Sequence, residues 1–250
     1  MECYRVRGDA LEQEKSIWGA LGADPRAYPL IAVVGGGGKT TLLYALMREA
    51  DKMGLRVLLT TTTHMELPPA RLWAKSCEEA RALLRHGGAA VFALPCEEGK
   101  CGPPHLSPEE CLALADLVLV EADGARHLPL KAPAPHEPVL PKERSLVIGV
   151  AGLDSVGRPL QEVCHRPERV AALLEKRREE LVTPQDLARL LSHPMGQKKG
   201  VKGEYRAVLN KADDPQALLF AKEAAMELEA QGVPGAILHF EKEERGTCWY

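Results

Sequence analysis

The stretch Ile31–Thr41 reads IAVVGGGGKTT and joins a short apolar run to four consecutive glycines and then to Lys-Thr-Thr. The apolar run from Leu30 to Val34 has the length and the β-branched content of a buried strand. After the glycines, residues 40–53 carry apolar side chains at helical spacing, and Gly54 stands where a helix would end. The sequence therefore predicts a strand, a glycine loop and a helix in direct succession.

This succession is typical of a site that binds the phosphate chain of a nucleotide. Glycines let backbone amides converge on an anion, and a helix N-terminus adds unpaired donors and partial positive charge. Within the loop, Lys39 would reach the terminal phosphates and take part in catalysis, and the Thr40 hydroxyl would hold Mg²⁺. A plain turn is disfavoured, since four glycines cost backbone entropy. The residues predicted to bind the nucleotide here are Gly35, Gly36, Gly37, Gly38, Lys39, Thr40 and Thr41.

The loop departs from the usual P-loop pattern G-x-x-x-x-G-K-[ST] in one respect. That pattern places a glycine or another small residue five positions before its last glycine, and this chain has Val33 there. The glycines begin instead at Gly35, so the loop is shorter. A shortened loop of this kind resembles that of the Mur-type amide ligases, which read G-x-x-G-K-T.

A length of 250 residues allows one large α/β domain or one domain with an appended lobe, and we predict a single P-loop NTPase-like domain over residues 1–250. Apolar residues make up 45% of the chain and charged residues 27%, which suits a globular core. The net charge of −3 favours neither a nucleic acid nor a membrane surface as partner. No apolar run approaches the ~20 residues of a membrane span. The N-terminus lacks the apolar core of a signal peptide, so we expect a cytoplasmic protein.

The seven cysteines are scattered and form no C-x-x-C pair, which disfavours disulfides. Cys96, Cys101, Cys111 and His105 could in principle hold a soft metal, but their spacing fits no structural zinc pattern. Free cysteines are the preferred interpretation.

A second strand, from Arg56, ends in Thr60-Thr61-Thr62-Thr63-His64. Four threonines could reflect β-propensity alone. The carboxyl ends of strands in an α/β sheet, however, border the ligand crevice. We therefore predict a site role for Thr62 or Thr63, with Thr62 as a metal ligand, while His64 is an even choice between site and solvent.

The stretch Leu117-Val-Leu-Val-Glu121-Ala-Asp123 is the second informative segment. A buried strand that ends in acids is typical of a Walker B element, which delivers a carboxylate to Mg²⁺. Glu121 and Asp123 are two residues apart and share one side of an extended strand. We predict that both hold the metal or take part in catalysis. The alternative is a strand that ends in a charged turn.

The remaining segments give coarser predictions. A weak helix is predicted over Ala10 to Leu21, a loop over Pro95 to Pro104, and a helix from Arg166 to Glu180 that begins a small helical insert over about 166–200. The proline-rich segment 124–141 could be a solvated loop or a functional one. In the functional case, its charged residues are partners for a phosphate or an acidic second substrate; these are Arg126, Lys131, His136 and Glu137.

The last motif is Asn210-Lys211-Ala-Asp213, which follows a predicted strand. N-K-x-D is the guanine-reading element of GTPases, in which the aspartate accepts hydrogen bonds from the base. We predict that Asn210, Lys211 and Asp213 bind the nucleotide base, with a preference for GTP over ATP. The alternative is that Asn210 and Asp213 cap the final helix, Pro215 to Gln231.

Taken in order, the motifs resemble the YqeC family. These motifs are G-G-G-G-K-T-T, T-T-T-T-H-M, V-E-A-D-G-A with P-L-K-A-P and H-E-P, H-P-x-G with a basic loop, and L-N-K-A-D. The similarity runs from about Ala10 to Phe240. It implies a P-loop fold and a role as accessory protein in maturing a selenium-dependent molybdenum hydroxylase or its cofactor. Such a role implies the hydroxylase or other maturation proteins as partners.

The sequence thus predicts a three-layer α/β domain with a mostly parallel sheet, binding Mg²⁺ and ATP or GTP. One mechanistic hypothesis is a nucleotide-driven maturation factor that hydrolyses its nucleotide. The other is a kinase or Mur-like ligase that passes the γ-phosphoryl group to a small acceptor, a cofactor precursor. A P-loop scaffold without turnover is a third interpretation, because Lys39 and Thr40 establish only the potential to bind.

Overall fold

The computed structural model describes residues 1–97, 99–142 and 145–241. The strands β1 to β15 are, in chain order, Glu2–Arg7, Ala10–Glu14, Leu30–Gly35, Val57–Thr61, Met65–Glu66, Trp73–Ala74, Ala89–Phe92, Leu94–Pro95, Lys100–Gly102, Leu117–Glu121, Leu130–Lys131, Leu146–Gly152, Cys164–His165, Glu204–Asn210 and Gly235–His239. The helices α1 to α8 are Ile17–Leu21, Lys39–Lys52, Cys77–Gly87, Pro108–Cys111, Leu160–Val163, Pro167–Leu174, Pro184–Ser192 and Pro215–Ala230. A short 3₁₀ helix covers Leu153–Ser155.

A ten-stranded sheet forms the centre of the protein, in the order β2-β1-β15-β14-β12-β3-β10-β4-β7-β6. From β15 to β6 all neighbouring strands are parallel, and the antiparallel hairpin of β1 and β2 extends the β15 edge. The strand before the glycine loop, β3, lies between β12 and the acidic strand β10. The carboxyl ends of these parallel strands therefore meet at one edge of the sheet.

The central strands of the sheet are buried on both faces, as β3 shows. Ile31 and Val33 belong to the apolar cluster that includes the buried side of α2. Ala32 and Val34, which point the other way, belong to the cluster that includes α6, α7 and α8. Side chains alternate across a strand, so a strand that is apolar throughout is covered on both sides. The predicted three-layer α/β fold with a mostly parallel sheet is confirmed.

Two predicted helices differ from the structure. Residues 10–14 are not helical: they form β2, which pairs with β1, and only Ile17–Leu21 is a helix. The helix predicted from Arg166 to Glu180 ends at Leu174, because Glu175 adopts a left-handed conformation with φ 59°. Pairing in a hairpin with the preceding strand and a local backbone reversal are both invisible to helical periodicity.

The predicted helical insert consists of α6 and α7, and both pack on the sheet. Val170 of α6 and Leu187 of α7 are fully buried in the same cluster as Leu209 of β14. A capping box at Thr183 begins α7. A single domain over 1–250 stays a prediction, and residues 242–250, with Cys248, lie outside the described residues.

Two segments predicted as loops contain short strands. Within 95–104, β9 pairs with β5 and β8 in a small antiparallel sheet, and Cys101 is buried there. Within 124–141, β11 pairs with β13 in parallel. No helix in the described parts of the chain is long and apolar enough to cross a bilayer.

Candidate nucleotide-binding site

The glycine loop packs closely against neighbouring backbone and side chains. A Cβ on Gly35 would lie 2.3 Å from the Val150 carbonyl oxygen, and one on Gly36 would lie 2.6 Å from that of Leu128. The loop then reverses through positive φ angles, 78° at Gly37 and 111° at Gly38. Residues with a Cβ fit neither the space nor the backbone conformation, so the glycine run is required by this geometry.

The loop amides divide into two groups. The amides of Gly36 and Gly37 donate to the carbonyls of Val150 (3.0 Å) and Leu128 (3.1 Å). From Gly38 onward the chain enters α2, and Gly38 caps that helix without a side-chain hydrogen bond. The first amides of a helix lack intrahelical partners. The donors left for an anion at this end of α2 are therefore the backbone amides of Lys39 and Thr40, and the earlier glycines hold the loop in place.

Lys39 is buried and lies against two acids. Its Nζ donates to the Gly35 carbonyl at 2.7 Å, and lies 3.2 Å from Asp123 Oδ1 and 3.9 Å from Glu121 Oε1. Only 5% of the side chain is exposed, so its charge is compensated within the protein. The structure brings the predicted catalytic residues Lys39, Glu121 and Asp123 together.

Thr40 and Glu121 supply two adjacent oxygen atoms at the mouth of the loop. The Thr40 hydroxyl donates to Glu121 Oε2 at 3.2 Å. Burial raises the pKa of Glu121, Lys39 lowers it, and Asp123 raises it further. A hydroxyl beside a carboxylate is the hard oxygen donor set that suits Mg²⁺, whose charge would favour the ionised carboxylate. These two side chains fit the predicted metal.

The other two predicted metal ligands, Asp123 and Thr62, do not line the cleft beside the loop. Asp123 is 1% exposed, and both its oxygens accept the Gly35 amide at 3.1 Å. The Thr62 hydroxyl donates to the Val139 carbonyl at 2.7 Å. Their roles as ligands stay predictions. Among the described residues, no group of three or more His, Cys, Asp and Glu side chains is arranged to hold a metal, the Cys96–Cys111 segment included.

A buried chain of alternating charges leads away from the loop. Lys131, with no exposed surface, lies 3.0 Å from Asp123 Oδ2 and 3.0 Å from Glu137 Oε2. Arg166 completes the chain at 2.6 Å from Glu137. Burial would raise the pKa of Glu137, but the Ala134 amide, Arg166 and Lys131 outweigh it and lower that pKa to about 2. The glycine loop and Arg166 thus share one ionic network.

The N-K-x-D segment contacts the backbone of the glycine loop. Asn210 Nδ2 donates to the Gly37 carbonyl at 2.8 Å. Lys211 pairs with Asp154 at 2.6 Å, and Asp213 lies 2.9 Å from His239 Nδ1. None of the three motif residues lines the cleft, so reading of a base stays a prediction.

The alternative interpretation of that segment, a cap on the final helix by Asn210 and Asp213, is wrong. The residue that caps α8 is Asp214, whose side chain accepts the Ala217 amide. Asn210 lies at the end of β14, too early in the chain to reach that helix turn, and it bonds the glycine loop instead.

A cleft of about 680 Å³ opens beside the loop. Its loop side is formed by Gly37, Gly38, Lys39, Thr40, Thr41 and Glu121. Away from the loop the lining is rich in basic and imidazole side chains, namely His64, Lys100, Arg126, His127, His136, His165 and Arg166. This volume lies within the range of about 300–1,000 Å³ that is typical of small-ligand sites.

Several residues that line or support this wall carry no recognisable sequence signal of a site role. His165 and Arg166 line the cleft, and Lys199, outside the lining, supports it: its Nζ donates to the carbonyls of Ala134 and Glu137 and so holds the proline-rich segment. No local pattern marks them, because Arg166 and Lys199 act on partners far along the chain and His165 reaches the cleft only through the fold. His-Arg-Pro at the start of α6 was the only available signal, and it indicated a helix start alone.

Comparison with known proteins identifies relatives of this chain. The family model described as YqeC protein matches residues 31–168, which include the glycine loop, the acidic strand and Arg166. A protein of Escherichia coli (strain K12), named uncharacterized protein YqeC, is 36% identical over 200 residues. That alignment covers 75% of this chain and 77% of the relative.

Proposed function

This chain belongs to the YqeC family, and we propose that it is a Mg²⁺-dependent nucleotide-binding protein that takes ATP or GTP in its glycine loop. The observation that carries the proposal is the arrangement at the start of α2. Uncapped amides, the Lys39 ammonium and the Thr40–Glu121 oxygen pair converge at one mouth. A phosphate chain with Mg²⁺ complements all three, through amide donors, an opposite charge and metal oxygens.

Binding would release Lys39 from its present partners. The ammonium is held by the Gly35 carbonyl and Asp123, within reach of the first turn of α2. A terminal phosphate offers it a stronger charge-assisted partner than a carbonyl does. Mg²⁺ would be held by Thr40 and Glu121, directly or through water, and would neutralise charge on the phosphates.

We further propose that the nucleotide serves the maturation of a selenium-dependent molybdenum hydroxylase or its cofactor. What supports this part is the resemblance of the ordered motifs to the family's accessory role. In this version the protein hydrolyses nucleotide and changes its contact with the hydroxylase or another maturation protein in the cytoplasm. Slow turnover that a partner protein accelerates is the expected kinetic behaviour.

A second candidate function is phosphoryl transfer to a small acceptor, and the wide cleft favours it. An acceptor oxygen would form a bond to the γ-phosphorus while the bond to the β,γ-bridging oxygen breaks. The nucleoside diphosphate then leaves with that electron pair, and a hydroxyl acceptor loses its proton to a base. Consumption of nucleotide only when the acceptor is present would distinguish this function from partner-stimulated hydrolysis.

The metal part of the proposal predicts the behaviour of Thr40→Val. In the wild-type protein, Mg²⁺ should tighten nucleotide binding, and the valine variant should lose most of that tightening, at least about tenfold. Affinity in the presence of EDTA should be similar in both proteins, because the amides and Lys39 are unchanged. Isothermal titration calorimetry with and without Mg²⁺ measures the difference.

Thr40→Ser is the matched control, since it keeps the hydroxyl and should keep the Mg²⁺ effect. Equal Mg²⁺ dependence in the valine variant and the wild type would exclude Thr40 as a metal ligand.

A further inference from the structure

We propose that the cleft wall around Arg126 binds the second substrate through an oxyanion, a phosphate or a carboxylate of a small acceptor molecule. The inference rests on the proposed function for the place of the nucleotide, which occupies the loop side of the same cleft. It adds the chemical class of the acceptor and the side chain that anchors it.

Among the lysines and arginines of the described cleft lining, Arg126 is the one without an ion-pair partner. Of the lysines and arginines in the described lining, Lys39 pairs with Asp123, Arg166 with Glu137 and Lys100 with Glu97. Arg126 is exposed and makes no hydrogen bond or ion pair within the described parts of the chain. An unpaired guanidinium in a cleft is suited to bidentate binding of a carboxylate or phosphate.

The backbone that carries Arg126 is strained and is fastened to the glycine loop. Arg126 and His127 have φ angles of 51° and 62°, which side chains with a Cβ seldom adopt. The turn closes through Leu128 N to the Ala125 carbonyl at 3.0 Å, and the Leu128 carbonyl accepts the Gly37 amide at 3.1 Å. Strain of this kind persists where the surroundings impose it and gathers at functional sites. Arg126 is thereby set at a defined place relative to the phosphate loop.

Two buried polar atoms in the same lining lack partners among the described residues. These are Thr63 Oγ1 and His165 Nδ1, which make no hydrogen bond to any part of the chain that the structure describes, and both residues line the cleft. Leaving a buried polar atom unpaired costs about 1–3 kcal/mol, so such atoms call for a partner. Burial lowers the pKa of His165, as do Arg166, Lys131 and Arg126. A neutral imidazole and a hydroxyl can then hydrogen-bond the acceptor.

The test titrates two oxyanions, inorganic phosphate and malonate, into protein already saturated with Mg²⁺ and ADP. Binding is followed by isothermal titration calorimetry for the wild type, Arg126→Asn and the matched control Arg71→Asn. Asparagine tolerates the left-handed backbone at position 126 and so preserves the turn. Arg71 is exposed, lies outside the cleft and also stands in a turn.

The expected result is that at least one of the two anions binds the wild type and the Arg71 control equally. Arg126→Asn should weaken that anion at least about tenfold while nucleotide affinity is unchanged. The anion that binds, phosphate or malonate, indicates which oxyanion the acceptor carries.

Three outcomes would overturn the inference. They are that the wild type binds neither anion, that Arg126→Asn binds the anion as tightly as the wild type does, or that Arg126→Asn loses affinity for the nucleotide and not for the anion. The last outcome would assign Arg126 to the nucleotide. Repeating the titration on nucleotide-free Lys39→Ala separates the two proposals. If the wild type binds no nucleotide, while the anion still binds Lys39→Ala and that binding is lost when Arg126→Asn is added, the proposed function fails and the oxyanion site stands.

Discussion

Lys131→Met is expected to lower the free energy of unfolding by about 3–5 kcal/mol at neutral pH. Lys131 is completely buried and is the cation between Asp123 and Glu137. Methionine has a similar length and no charge, so the substitution leaves two buried carboxylates without that partner. Chemical denaturation at pH 7, followed by circular dichroism, measures the effect.

The pH dependence of this effect follows from the same contacts. In the wild type, the pKa of Glu137 is lowered from 4.5 to about 2, so its ion pairs stabilise the fold fully above pH 4.5 and are lost as the pH falls toward 2. In Lys131→Met, Glu137 keeps Arg166 but loses its second cation, so its carboxylate becomes easier to protonate and protonation removes the charge that Lys131 had compensated. The difference between the two proteins should therefore shrink on acidification.

Lys202→Met is the matched control, because Lys202 is exposed and the same chemical change there should cost within about 0.5 kcal/mol. If Lys131→Met were as stable as the control at pH 7, the buried ionic chain would not hold the loop to the wall of the cleft.

Gly37→Ala is expected to cost about 3 kcal/mol of stability and to abolish nucleotide binding. Gly37 has a φ of 78°, and a Cβ there would lie 2.3 Å from the backbone nitrogen of Gly152. Because that neighbour is backbone at the end of a central strand, it has no rotamer to change. The loop itself must move, which displaces the amides at the start of α2.

Gly54→Ala separates strain from crowding. Gly54 has nearly the same φ, 80°, but no atom lies within 4 Å of an added Cβ. The control should lose about 1 kcal/mol, the cost of the left-handed backbone alone, and should bind nucleotide normally. Equal losses in the two variants would mean that the close approach to Gly152 is not what requires glycine in the loop.

The segment from β3 through the glycine loop to α2 was predictable because the sequence patterns that define it lie within the segment itself. A β-branched run, four glycines and a helical pattern identify β3, the loop and α2 without any knowledge of neighbours. The short acidic strand β10 was predictable for the same reason. β2 was not, since its five residues are defined by pairing with β1, and pairing between strands leaves no helical or glycine signal.

Site residues that belong to the glycine-loop and acidic-strand motifs were predictable from the sequence. Residues that reach the site only through contacts with distant segments were not. Lys39, Thr40 and Glu121 meet as their motifs imply. Asp123 and Asn210 also reach the loop, but they bond its backbone. The Arg166–Glu137 pair joins positions 29 residues apart, a distance at which only the folded chain brings charges together.

Nucleotide binding is the most direct test of the proposed function. Mg²⁺ with ATP, and separately with GTP, is titrated into the wild type, Lys39→Ala and the exposed control Lys202→Ala, and equilibrium affinity is measured by calorimetry. We predict that at least one nucleotide binds the wild type and the control equally. Lys39→Ala should weaken that nucleotide by about a hundredfold, the loss of one charged contact.

A preference for GTP would support a base-reading role for Asn210, Lys211 and Asp213, and a preference for ATP would leave that segment as support for the loop. The proposed function is contradicted if the wild type binds neither nucleotide, or if Lys39→Ala binds the nucleotide as tightly as the wild type does.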